Sequence, residues 1–155
     1  MGGLKQAECC GHWATMRAKK TSPADLTVLE RLRTAGLRPT RQRLALAKLL
    51  FAQGHRHVTA EGLFNEAKDN RVDVSLATVY NALHDFTEKS LLREISIDSS
   101  RSYFDTNVGD HYHFYFEQTG KLQDIPAERI ALANLPEAPG GATVARVDVI
   151  IRVRD

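Results

Sequence analysis

One change of rhythm constrains this chain more than any other feature. Up to Phe86 its apolar residues recur at spacings of three and four, whereas beyond Lys89 they fall into short runs rich in β-branched and aromatic residues. The first period lines one face of a helix and the second suits a strand. Helices grouped ahead of strands predict an α+β chain rather than an alternating one.

Punctuation sharpens this outline. Ser22 as N-cap, Pro23 at the first helical position and Leu26, Leu29 and Leu32 predict a helix stopped by Gly36. Thr40 caps a second, with Leu44, Ala47, Leu50 and Phe51 inward and Gly54 as its end. A third covers residues 60–68 behind Thr59, with Leu63, Phe64 and Ala67 inward. A fourth covers residues 75–87 with Leu76, Val79, Tyr80, Leu83 and Phe86 on one face. Residues 91–97 (LLREISI) and 101–106 (RSYFDT), joined by Asp98-Ser99-Ser100, read as a hairpin. Helices followed by one hairpin outline a winged helix-turn-helix, whose helix before the wing enters the major groove of DNA.

Strands continue over residues 111–118 and 122–125 around Thr119-Gly120, and again over residues 144–154, where Val147, Val149 and Ile151 alternate. The expected division is a mobile tail (1–21), a winged-helix DNA-binding domain (22–106) and a small α/β dimerisation and ligand-sensing domain (107–155). A unit of that last size has little core of its own, so self-association is expected.

Net charge is only +2, but its distribution is uneven. Residues 1–60 carry 11 Lys and Arg against 3 Asp and Glu, and residues 61–155 carry 10 against 16. A basic amino half suits a polyanion, with Arg38 and Arg41 beside Thr40 at the start of the second helix able to neutralise phosphates. Ser75, Thr78, Tyr80 and Asn81 offer hydroxyls, a ring and an amide near the start of the fourth helix. The alternative for these is caps and half-buried packing. No apolar run is long enough for a membrane span and no secretory signal is visible, so a cytoplasmic location without membrane contact is expected. Cys9 and Cys10 are adjacent and lack metal-knuckle spacing; they read as reduced thiols in the tail.

The densest chemistry is Asp105, Asp110-His111-Tyr112-His113 and Asp124. On a strand His111 and His113 face one side, and carboxylates from the strands before and after, Asp105 and Asp124, can reach the same point. Nitrogen and carboxylate donors suit Fe²⁺, Mn²⁺ or Zn²⁺. The plainer reading is two solvent-facing histidines. His57, beside a helix start, is the further donor that would link the amino-terminal bundle to this cluster. There is no G-x-S-x-G and no glycine-rich phosphate loop, so the chain does not read as an enzyme.

Segments 32–51 (LRTAGLRPTRQRLALAKLLF), 57–67 (HVTAEGLFNEA), 73–95 (DVSLATVYNALHDFTEKSLLREI), 103–107 (YFDTN) and 110–114 (DHYHF) together resemble the ferric uptake regulator (Fur) superfamily. The resemblance implies a homodimeric transcription regulator on double-stranded operator DNA. It puts regulatory metal ligands at His57, Asp105, His111, His113 and Asp124, groove-reading residues at Tyr80 and Asn81, and a minor-groove basic residue at Arg38.

Where most of these relatives carry C-x-x-C after the H-x-H strand, this chain has Phe116 and Thr119, so no structural Cys₄ zinc is expected. That loss and the ending LPEAPGGATVARVDVIIRVR resemble the iron response regulator (Irr) branch, which implies haem sensing through His111 and His113, although the Cys-Pro haem motif of some members is absent from the tail. The expected function is therefore haem- and iron-responsive control of iron and haem metabolism genes. A peroxide-sensing metal-dependent repressor of the same superfamily is the alternative. A metal-dependent hydrolase is a distant one, requiring an open metal position with a general base.

Overall fold

The computed structural model of the protein describes residues 27–154. The expected tail, its cysteines and the Ser22-Pro23 cap lie outside them. The first described helix, α1 (Val28–Thr34), starts under Thr27. Thr27 and Glu30 form a capping box: the Glu30 amide donates to Thr27 Oγ1 (3.3 Å) and the Thr27 amide to Glu30 Oε2 (2.9 Å). This reciprocal pair satisfies two helix-end donors. Gly36 ends the helix at φ +76°, its amide bonding Arg33 O while that of Leu37 bonds Leu32 O. Only a left-handed residue closes that turn, and glycine adopts it freely.

Helices α2 (Arg41–Phe51), α3 (Ala60–Asp69) and α4 (Leu76–Glu88) follow, and their first-turn amides are accepted by the hydroxyls of Thr40, Thr59 and Ser75. All three caps are those read from the sequence. The inward stripes meet in one core, where Leu32, Leu46, Leu50, Leu63, Val79, Leu83 and Phe86 are fully buried. Each buried side chain of this size contributes roughly 1.5–3 kcal/mol of transfer free energy. α4 is thereby clamped from behind, and its opposite face is left open.

The wing comprises β2 (Arg93–Asp98) and β3 (Arg101–Asp105), paired antiparallel. A short strand, β1 (His57–Val58), joins their sheet on the far side of β3, giving the order β1-β3-β2. Two residues carry no period, so sequence patterning could only read His57 as a loop residue beside a helix. Arg56 fixes the approach: its guanidinium forms a forked pair with Glu66 (3.1 and 2.6 Å) and its amide donates to Thr106 Oγ1 (2.9 Å).

The second sheet has the order β5-β4-β6, from β4 (His111–Phe116), β5 (Lys121–Pro126) and β6 (Ile150–Val153). β4 and β5 are antiparallel around Gly120, whereas β6 returns parallel to β4. Where an α/β unit is expected, the described residues beyond 107 form this sheet and two 3-10 turns. The strand expected over residues 144–154 is confined to β6, and its phase differs: Ile150 packs inward and Ile151 is exposed. The long parallel return places Val149 O on the His113 amide (3.1 Å), which sets that register.

The two sheets meet in a smaller core of Ile95, Ile97, Tyr103 and Tyr115, with Leu122 and Ile150 against it. Tyr103 donates to Gly120 O (2.6 Å), and an Arg152 nitrogen to Ile97 O (2.6 Å). These contacts bring the wing's inner face onto β4. Among the described residues no helix is long and apolar enough to cross a membrane.

Candidate metal centre

The register of the two sheets builds the site. His57 stands opposite Asp105 across β1 and β3, and His113 opposite Asp124 across β4 and β5. Directly paired residues project to the same face, so each pairing delivers an imidazole beside a carboxylate. β4 alternates strictly, with His111 and His113 inward at 5% and 2% exposure. That excludes solvent-facing histidines.

Five residues converge: one donor atom each from His57, Asp105, His111, His113 and Asp124 all lie within 4.8 Å of one another. Asp105 is fully buried at the middle. Its Oδ2 lies 2.7 Å from His111 Nε2, 3.3 Å from His113 Nε2 and 3.4 Å from His57 Nε2. Asp124 closes the far side, with Oδ1 2.9 Å from His57 Nε2. Neighbouring donors around one ion at about 2.1 Å are about 3 Å apart, the scale seen here.

Hydrogen-bond accounting shows what this geometry demands. His111 Nδ1 lies 2.8 Å from the carbonyl oxygen of Gly109, which can only accept, so Nδ1 carries the proton. In the neutral ring Nε2 is then a lone pair, pointed at a carboxylate oxygen 2.7 Å away. Two acceptors at that distance require a cation between them, a proton or a metal ion. A second pair repeats the problem: His57 Nε2 and Asp124 Oδ1 are both buried, 2.9 Å apart and without a hydrogen bond. The donor set fits a divalent ion of Fe, Mn or Zn type.

Electrostatics agree. Burial pushes the Asp105 carboxyl up, but the facing imidazoles of His113 and His57 and the Asn107 amide outweigh it and hold the group well below the usual carboxylate range. Burial alone would lower His57, yet Asp105 and Asp124 raise it above its ordinary value. The cluster is an anionic focus that attracts positive charge.

Asn107 is a supporting residue that the search for donors missed. Its amide nitrogen donates to Asp105 Oδ1 (2.8 Å) and its side chain to Asp124 Oδ2 (3.1 Å), so it spaces the two carboxylates. The available signal was an Asx-type turn two residues after Asp105.

The groove-reading residues separate into two groups. Ser75 and Thr78 face each other at the start of α4, Oγ to Oγ1 at 2.8 Å, and the Ser75 hydroxyl accepts the Thr78 amide. Tyr80 and Asn81 lie on the open face, together with Ala77 and His84, which the sequence reading did not single out. The Tyr80 hydroxyl donates to Glu61 Oε1 (2.6 Å), placing an acidic group of α3 beside this face. Arg38, Thr40 and Arg41 are exposed at the start of α2, while neighbouring Arg43 is paired with Asp85.

The sequence matches the ferric uptake regulator family over residues 34–148. It is 38% identical over 94 residues to the peroxide-responsive repressor PerR of Staphylococcus aureus strain Mu50, an alignment taking in 61% of this chain. The chain spans 63% of the length of that relative. The ferric uptake regulator of Pseudomonas aeruginosa with manganese has a similar fold, at a TM-score of 0.64 and 24% identity over 84% of this chain and 98% of that one. The Campylobacter jejuni peroxide stress regulator is similar at 0.55 and 26%, over 84% and 97%. With most of its length matched and its fold shared, the chain belongs to the ferric uptake regulator family.

Proposed function

We propose that the protein is a metal-dependent, DNA-binding transcription regulator that responds to peroxide when its His57/Asp105/His111/His113/Asp124 centre holds iron. The carrying observation is the contact at 2.7 Å between Asp105 Oδ2 and the Nε2 of His111, a ring whose Nδ1 faces Gly109 O: a cation is required there, and a divalent ion fits the five donors. Fe²⁺, Mn²⁺ and Zn²⁺ all suit five nitrogen and oxygen donors. Ferrous iron, if bound there, would lend an electron to hydrogen peroxide and recover it as the ligand is oxidised, so that the two electrons come in the end from the ligand.

Two of the ligands, His57 and Asp105, come from the wing sheet, and three, His111, His113 and Asp124, from the second sheet. Holding all five draws the wing sheet and the second sheet into one arrangement, and so sets where α4 points in a homodimer on operator DNA. Arg38, Thr40, Arg41, Ser75 and Thr78 then meet phosphates, and Tyr80 and Asn81 meet base edges. Peroxide response is oxidation of a ligand. One peroxide oxygen enters a ring C–H of His57 or His111 and water leaves, the histidine losing two electrons, and the altered ring no longer holds the arrangement.

The similarity to peroxide-responsive repressors supports this reading over haem response. Haem at His111 and His113 has less support, because both rings are buried with Nε2 turned into the five-residue cluster.

The test loads metal-free protein with Fe²⁺ or Mn²⁺, adds hydrogen peroxide, and follows DNA binding together with peptide masses. One added oxygen on His57 or His111 and loss of DNA binding, with iron but not manganese, is expected. Unmodified histidines with iron, or a Soret band on haem titration that disappears when His111 and His113 are both changed to Ala, overturns it.

A further inference from the structure

Arg93 is not among the donor residues, yet it touches the backbone on either side of His111 and the Asp148 carboxylate. It opens β2 immediately after the Leu91 and Leu92 amides, which both bond Phe86 O and close α4 (2.8 and 3.3 Å). In the wing sheet Arg93 stands opposite Asp105, which in turn stands opposite His57, so the three form a row on one face. Its side chain is 6% exposed.

The guanidinium spans both sheets. One terminal nitrogen donates to Gly109 O (3.3 Å) and His111 O (3.4 Å), and the other pairs with Asp148. Gly109 O is also the acceptor of His111 Nδ1 (2.8 Å), so arginine and metal-site histidine share one carbonyl. Asp148 precedes Val149, whose carbonyl holds the His113 amide (3.1 Å). A shift of either histidine therefore reaches Arg93, through Gly109 on one side and Asp148 on the other.

Stability alone gives little reason for this arrangement. A buried guanidinium is poor glue compared with apolar packing, and here Nε is buried without a partner. Beside it opens a surface pocket of about 420 Å³, with Thr87, Ser90, Glu94, Val108 and Arg146 among its lining.

We propose that Arg93 is the positioning residue that transmits occupancy of the His/Asp centre to the exit of α4, without itself holding the ion. This rests on the metal-dependent regulator reading. The test uses full-length protein, Mn²⁺ as the only added metal, and a duplex selected from a random pool by wild-type binding in Mn²⁺. The quantity read is the ratio of DNA dissociation constants without and with Mn²⁺, expected at about 5–150 for wild type.

In R93Q and in D148A that ratio falls to about one, while Mn²⁺ affinity by chelator competition stays within roughly threefold of wild type. The R93Q/D148A double variant loses no more, because both act in one linkage. R93K restores part of the ratio, since an ammonium keeps the Asp148 pair but not the fork. A wild-type ratio in R93Q and D148A overturns the proposal; so does loss of Mn²⁺ binding in R93Q with D148A unchanged. Should R93Q fail to fold by circular dichroism, D148A and R93K decide alone. A wild-type protein whose DNA binding ignores Mn²⁺ refutes the regulator reading itself, and Arg93's role with it, before any variant is made.

Discussion

Replacing Asp105 by Asn is the sharpest test of the centre, because it changes one charge and no volume. The Asn107 amide donates to Asp105 Oδ1 from 2.8 Å, so the new amide must turn its oxygen to that side. Its NH₂ then occupies the Oδ2 position, 2.7, 3.3 and 3.4 Å from the Nε2 atoms of His111, His113 and His57. That nitrogen has no lone pair to offer a cation, and the flipped rotamer sets NH₂ against the Asn107 N–H instead. Loss of a group hydrogen-bonded to a ligand's own side chain weakens a metal about 10–100-fold, so loss of this central ligand removes at least about 100-fold, or roughly 2.7 kcal/mol.

Without metal the change acts in two opposed ways: the NH₂ can donate to the ring nitrogen of His111, but the negative charge that His57 and His113 face is lost. Thermal unfolding with and without Mn²⁺ separates the loss of metal from these. At Mn²⁺ a hundredfold above its dissociation constant, wild type gains about 2.7 kcal/mol and its Tm rises by roughly 5–10 °C. In D105N, Mn²⁺ at the same concentration raises the Tm of the metal-free variant by less than about 2 °C. If D105N binds Mn²⁺ within about tenfold of wild type, Asp105 is not a ligand and the hydrogen-bond accounting is wrong.

Three other outcomes are expected. Ser90 holds φ +56° in the turn that closes α4, a conformation costing a non-glycine residue about 1 kcal/mol, so S90G raises the denaturation midpoint by up to about 1 kcal/mol of stability. E61Q removes an exposed negative charge bonded to Tyr80 on the open face of α4 and tightens DNA binding several-fold at low salt, measured by fluorescence anisotropy; no change in either affinity or salt slope would place DNA elsewhere. L50A opens a cavity in the fully buried helical core and costs about 2–5 kcal/mol by urea titration, with Mn²⁺ affinity of the folded fraction unchanged.

Local chemistry made much of the fold legible. Thr40, Thr59 and Ser75 cap the helices that their positions announce, because a hydroxyl two or three residues from an orphan amide acts without tertiary help. At the start of α1 the capping box of Thr27 and Glu30 is equally local, two reciprocal bonds across three residues. Apolar runs are less decisive near a sheet edge: residues 144–149 alternate like a strand, yet only Ile150–Val153 find a partner in β4. Pairing, not propensity, decides such a segment.

Alternation put His111 and His113 on one face, strand and helix placement offered Asp105, Asp124 and His57 as further donors, and the family resemblance implied the same five as ligands. Whether those side chains were exposed or buried, and whether they met, depended on contacts far apart along the chain. The two-residue strand β1 carries His57 to Asp105, and β5 carries Asp124 to His113, through registers that no local period encodes. The same packing gave Asn107 and Arg93 their places around the cluster. Periodicity and end-capping are written residue by residue and so were readable in the sequence; the convergence of five donors, and the shared Gly109 carbonyl that joins them to Arg93, were decided only when the wing folded against the second sheet.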